Sequence, residues 1–126
     1  MEADVKSKTD IKSNVHGLID MVEKGQLLEA FEKYYADDVV MQENNDPPRV
    51  GKAANREFEK QFVSSVEEVH DSQIKNVAYS PDGDIVMIQS YMDVTMKGKG
   101  RQQMEEVAVQ TWKDGKISHE KFFYKM

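Results

Sequence analysis

The stretch Val86-Met87-Ile88-Gln89-Ser90-Tyr91-Met92-Asp93-Val94-Thr95-Met96-Lys97 decides the fold. Val86, Ile88, Ser90, Met92, Val94 and Met96 fall on one side of an extended chain, and Met87, Gln89, Tyr91, Asp93, Thr95 and Lys97 on the other. Successive side chains of a strand point to opposite faces, so this alternation predicts one covered face and one wetter face. That is the pattern of an antiparallel sheet packed on one side. Turn signals frame the strand: Pro81-Asp82-Gly83 before it, Gly98-Lys99-Gly100 after it, and Asp114-Gly115 further on. They cut the second half of the chain into four strands at about 68–79, 84–96, 103–113 and 116–125. The last of these sets Glu120, Phe122 and Tyr124 on one face and His119, Lys121 and Phe123 on the other.

Upstream the period is helical. Residues 1–9 read as a frayed tail, and Thr9 or Asp10 as the cap of a helix carrying Ile11, Val15, Leu18, Ile19 and Val22 on one face. Gly25 ends it, and a shorter helix follows with Leu27, Leu28, Phe31, Tyr34 and Tyr35 on its buried side. Asp38 to Glu43 predicts a short strand, closed by the loop Asn44-Asn45-Asp46-Pro47-Pro48. Gly51 turns the chain into a third helix with Ala54, Phe58, Phe62 and Val66 toward the core. Helices first and a meander afterwards give an α+β layout, with residues 10–126 as one domain.

Composition narrows the function classes. The 126 residues are 39% hydrophobic and 32% charged, which suits a globular domain. No run approaches the roughly 18 to 20 apolar residues that cross a bilayer, and no apolar leader opens the chain; a cytoplasmic location is expected. A net charge of −6 argues against nucleic acid as a partner. The absence of Cys removes thiolate chemistry, and His16, His70 and His119 are scattered, so no metal and no cofactor are expected.

Tyr35-Ala36-Asp37-Asp38-Val39-Val40-Met41-Gln42-Glu43, then Pro47-Pro48-Arg49-Val50-Gly51, Arg56-Glu57-Phe58 and Asp114-Gly115-Lys116-Ile117 resemble the ketosteroid isomerases. More broadly they resemble the SnoaL-like polyketide cyclases of the nuclear-transport-factor-2-like superfamily. The resemblance covers about residues 11–125. It implies a cone-shaped barrel, with three N-terminal helices packed on the concave face of a strongly curved, mainly antiparallel sheet. It also implies a homodimer formed through the outer face of the sheet, where Val107, Val109 and Phe123 lie by parity. In the isomerases a strand carboxylate removes a proton beside a carbonyl while a Tyr and a protonated Asp hold the enolate oxygen. An ungapped match puts Glu43 at the base position. The two donor positions fall at Leu18 and Ala108, which donate nothing, and this argues against classical steroid isomerisation. The third-helix Tyr of that network is replaced by Glu59.

The resulting site has Glu43 as catalytic acid/base, facing inward by parity with Val39 and Met41. Tyr35, Phe58, Phe62, Met92, Trp112, Glu120, Phe122 and Tyr124 line a pocket for a small apolar or aromatic molecule. Gln110 is a candidate replacement donor. Three functions stay open: a cofactor-independent isomerase, cyclase or dehydratase; a binding module without chemistry; and an association domain. A buried Glu43 is compatible with the first two and not with the third.

Overall fold

The computed structural model describes the backbone of residues 2–125 and the side chains of residues 11–125. The elements are α1 (Glu2–Glu23), α2 (Leu27–Tyr34), β1 (Tyr35–Glu43), β2 (Arg49–Val50), α3 (Lys52–Ser65), β3 (Val66–Tyr79), β4 (Ile85–Met96), β5 (Gly100–Lys113) and β6 (Lys116–Tyr124). Helix α1 begins at Glu2, so Thr9 and Asp10 lie within it rather than at its cap; the side chains of residues 1–10 lie outside the described residues. The strands form one six-stranded sheet in the order β2-β1-β6-β5-β4-β3. Four of the five pairings are antiparallel, and β1 runs parallel to β6. The α+β layout and the curved, mainly antiparallel sheet are as expected. The barrel is not closed, because β2 and β3 remain as free edges of the sheet.

Register shifts interrupt the β3–β4 ladder and both ladders of β6, the latter two at the start of that strand between Ile117 and His119. Each inserts unpaired residues on one strand and adds local twist. The largest lies in β1: Tyr35 pairs with Ile117, and the next matched pair is Val40 with His119. The strand therefore starts three residues earlier than the alternation suggested. The apolar run Tyr34-Tyr35 continues from helix to strand without a loop, the Tyr35 N–H still bonding the Phe31 carbonyl.

The core forms where α1 and α2 lie on the concave side. Ile11, Val15 and Leu18 from α1 and Ala30, Phe31 and Tyr34 from α2 pack with Val39, Met41, Val86, Ile88, Trp112 and Ile117. Tyr34 meets Trp112 edge-on at 6.1 Å, and Phe31 stacks on Tyr35 at 4.9 Å.

Helix α3 departs from the expected pattern. Ala54 is exposed, Phe58 is 37% exposed, and Val66 already belongs to β3; the buried residue is Asn55. The reason is hydrogen bonding. The Asn55 amide donates to the carbonyls of Gly51 (2.8 Å) and Arg49 (3.0 Å) and accepts from Arg49 Nε (3.0 Å). Three bonds fix the rotation of the helix more strongly than one aromatic ring would. Phe58 lies against the Arg49 guanidinium instead, 3.6 Å from the ring centroid.

Gly17 marks a close approach of α1 to α2, since a Cβ there would run into the Tyr34 hydroxyl. Gly17→Ala gains helix propensity of up to about 1 kcal/mol. Overpacking of a buried ring costs about 1–3 kcal/mol, so the overlap should win. Urea unfolding should show a lower midpoint for Gly17→Ala; a raised midpoint would refute the packing account.

Candidate functional site

The parallel seam between β1 and β6 brings the site together. Met41 pairs with Glu120 and Glu43 with Phe122, while on the other side of β6 Gln110 pairs with Glu120 and Glu106 with Tyr124. Glu106, Ala108 and Gln110 share one face of β5 by parity, and Glu120, Phe122 and Tyr124 share one face of β6. Both sets face the helices.

Glu120 is 2% exposed. The Tyr35 hydroxyl donates to its Oε1, and Gln110 Nε2 donates to its Oε2 at 2.7 Å. The Gln110 Oε1 in turn accepts from the Trp112 indole N–H at 3.0 Å. Removal from water disfavours the charged carboxylate and raises the Glu120 pKa to about 8, against the opposing pull of the two donors; Glu59 and Glu106 add to the rise. Burial, and then the charge of Glu120, push the Tyr35 hydroxyl well above its ordinary value.

Glu43 closes β1 with its side chain 14% exposed. Its Oε2 accepts from Arg49 Nη2 at 2.8 Å and its Oε1 from the Tyr124 hydroxyl at 3.2 Å. Arg49 reaches it because the loop at 44–48 folds β2 back against β1, pairing Met41 with Arg49. Burial and then the Glu43 charge raise Tyr124 to about 12. Two further carboxyl groups act on this region, Glu59 from α3 and Glu106 from β5. Each is raised to about 7, by burial first and by the charge of Glu43 second.

The residues expected at the site thus divide. Tyr35 and Glu120 enter one hydrogen-bond network on the concave side, and Glu43 and Tyr124 enter a second. Phe62, Met92 and Phe122 are partly buried there. Phe58 is not an interior wall, because it is drawn out over Arg49. Trp112, 3% exposed, is a core residue whose indole bonds Gln110 rather than an open wall. Leu18 and Ala108, the empty donor positions, are buried and apolar. His70 bonds Thr95 and pairs with Glu68 on an exposed strand, away from these networks. Sequence reasoning gave Arg49 no role at the site and passed over Asn55 and Glu106. The parity of Glu106 with Ala108 and Gln110 was a usable signal for the last. Among the described residues, no group of three or more His, Asp or Glu is placed to hold a metal ion, and no helix is long and apolar enough to cross a membrane.

Comparison with known proteins agrees with this architecture. The family model of the SnoaL-like domain matches residues 8–124. Among solved structures, the chain is similar to a proposed SnoaL-like polyketide cyclase from Mesorhizobium loti, at 30% identity and a TM-score of 0.80, covering 90% of this chain and 98% of that one. It is also similar in fold to a proposed SnoaL-like polyketide cyclase from Jannaschia (15% identity, 93% and 86% coverage, TM-score 0.78). A third fold relative is the epoxide hydrolase/cyclase-like enzyme SalBIII of pyran ring formation in the polyether salinomycin (22% identity, 94% and 92% coverage, TM-score 0.77). No curated protein matches.

Glu120 makes stability depend on pH with a definite sign. Its folded pKa near 8 lies above the ordinary 4.5, so between those values the folded state holds a proton that the unfolded state has lost. Its contribution is complete below about pH 4.5 and is lost as pH rises to about 8, at up to about 1.4 kcal/mol per pH unit. Glu59 and Glu106 add the same trend up to about pH 7. Denaturant unfolding between pH 5 and 8 should show stability falling as pH rises, with a shallower fall in Glu120→Gln. Equal slopes for the two proteins would contradict the assignment.

Proposed function

The chain belongs to the SnoaL-like family, and from that premise we propose that it is a cofactor-independent enzyme of cyclase or isomerase type. It takes a small, largely apolar carbonyl compound into the cone and moves a proton beside the carbonyl. The observation that carries this reading is Glu120: a carboxyl group 2% exposed, in bonding reach of a tyrosine hydroxyl, within the same interior as the ion-paired Glu43. Two carboxyl groups whose surroundings favour opposite protonation states are how acid and base roles are divided at neutral pH.

The roles follow from the bonds. Oε1 of Glu43 carries only the longer bond from Tyr124 and keeps a lone pair for a substrate proton, so Glu43 is the base. When Glu120 is protonated the bond between the two reverses: Glu120 Oε1 donates to the Tyr35 oxygen, and the Tyr35 O–H is free to face the carbonyl. Glu120 then passes its proton to the Tyr35 oxygen as the Tyr35 hydroxyl gives its own to the carbonyl oxygen. The enol forms with no net charge left on the substrate, and the donors missing at Leu18 and Ala108 are replaced from another direction. Arg49, held by Asn55 and Phe58, fixes Glu43. With Glu43, Glu59, Glu106 and Glu120 gathered on this side, a neutral substrate suits the interior and an anionic one does not.

The convex face favours self-association as a second property. Phe123 is 45% exposed and pairs across the ladder with Val107, beside the Met87–Val109 pair. Phe123→Lys should shift a dimer toward monomer in light scattering after size exclusion. An unchanged mass would refute this interface.

Proton transfer is tested by incubating the protein in D2O with a panel of cyclic ketones and 1,3-diketones and following loss of the α-proton signals by NMR. At least one compound should exchange faster than in buffer. Glu43→Gln should lower that rate by on the order of 10²–10⁴, and Tyr35→Phe by on the order of 10²–10³. The rate should fall above about pH 8, as Glu120 loses its proton. Saturable binding of a panel compound with no exchange above buffer would overturn the enzymatic reading in favour of a binding module.

A further inference from the structure

We infer that Trp112, which touches no substrate in this reading, is a positioning residue: its indole N–H locks the Gln110 amide with the NH2 toward Glu120, and so sets how tightly Glu120 holds its proton. An indole nitrogen donates a hydrogen bond and cannot accept one. Its partner on Gln110 must therefore be Oε1, which it reaches at 3.0 Å. The amide has only two ends, so Nε2 is turned onto Glu120 Oε2, at 2.7 Å. All three groups are buried, and water does not compete for these bonds: Trp112 is 3%, Gln110 2% and Glu120 2% exposed.

The consequence is chemical. A donor facing Glu120 favours the carboxylate, whereas an acceptor facing it favours the acid. Without the indole N–H, the Gln110 amide is free to turn through half a rotation and present Oε1. Glu120 then holds its proton more tightly. The other titratable groups acting on Glu120 are Tyr35 from β1, Glu59 from α3 and Glu106 from β5. Of these, only Tyr35 bonds it directly among the described residues, so the Gln110 end is the one Trp112 controls. The kinetic meaning of this lock rests on the proposed role of Glu120 as proton donor; the lock itself does not.

The test uses the ligand-free protein, so it stands or falls apart from any turnover. Trp112 is the single Trp of the chain, and its indole ¹⁵N–H signal is therefore unique. In wild type this signal should shift with pH along the same midpoint as the Glu120 side-chain carbon, and the shift should vanish in Glu120→Gln. Trp112→Phe, which keeps an aromatic ring against Tyr34, should raise the Glu120 midpoint by about one pH unit, a tenfold tighter hold on the proton. Gln110→Met should raise it too, and adding Trp112→Phe to Gln110→Met should bring no further rise. An indole signal indifferent to the Glu120 titration would overturn the inference without any variant having to fold. So would an unchanged midpoint in folded Trp112→Phe, or additive rises in the double variant.

Discussion

Keeping a carboxyl group inside this small cone is the constraint around which the molecule is arranged. An unpaired charge at the position of Glu120 would cost several kcal/mol. The chain meets that cost with two donors from different parts of the sequence, Tyr35 at the start of β1 and Gln110 on β5. Each donor is itself held. Tyr35 is stacked on Phe31, and Gln110 is fixed by Trp112, which packs on Tyr34. The polar network and the aromatic packing of α2 are therefore one structure, and disturbing either reaches the other.

A second network, around Glu43, is built on different terms. Its side chain is nearer to solvent, it is charge-paired, and it depends on β2, a strand of two residues. Arg49 is gripped on three sides, by Glu43, by Asn55 and by the Phe58 ring. Glu59 and Glu106 lie close enough for the Glu43 charge to raise both. Glu59 and Glu106 in turn raise Glu120, so the charge held at the mouth of β1 and the acid held deep in the interior are linked through these two groups.

Much of this was legible in the residues. Strand alternation from Val86 to Lys97, the glycine turns and the helical spacing of Ile11, Val15 and Leu18 are local signals, and the elements they predict are present. Parity placed Glu120 and Tyr124 on the inner face with Phe122. Helix α3 was misread because its rotation is set by Asn55, whose partners are backbone carbonyls that no periodicity reports. The 37% exposed Phe58 has the same origin: an aromatic at helical spacing reads as core unless a cation is known to lie over it. Trp112 was read as a wall because its size suggests contact surface, whereas its nitrogen does the specific work. Arg49 was visible in the resemblance, but its pairing with Glu43 depends on a fold-back that only the loop geometry determines.

The parallel contact between β1 and β6 has a bearing on how the chain is made. Tyr35 and Glu120 are separated by 85 positions and Glu43 and Tyr124 by 81. Contacts of such long range form late, after the loop-closure entropy has been met. A nascent chain leaving the ribosome can build α1, α2 and the β3–β4 hairpin from near neighbours, yet Tyr35 stays without its acceptor until the final strand emerges. Until then β1 offers the β6-facing edge of its backbone to any other strand nearby. The step that completes the site is also the step that removes this opening for misassembly.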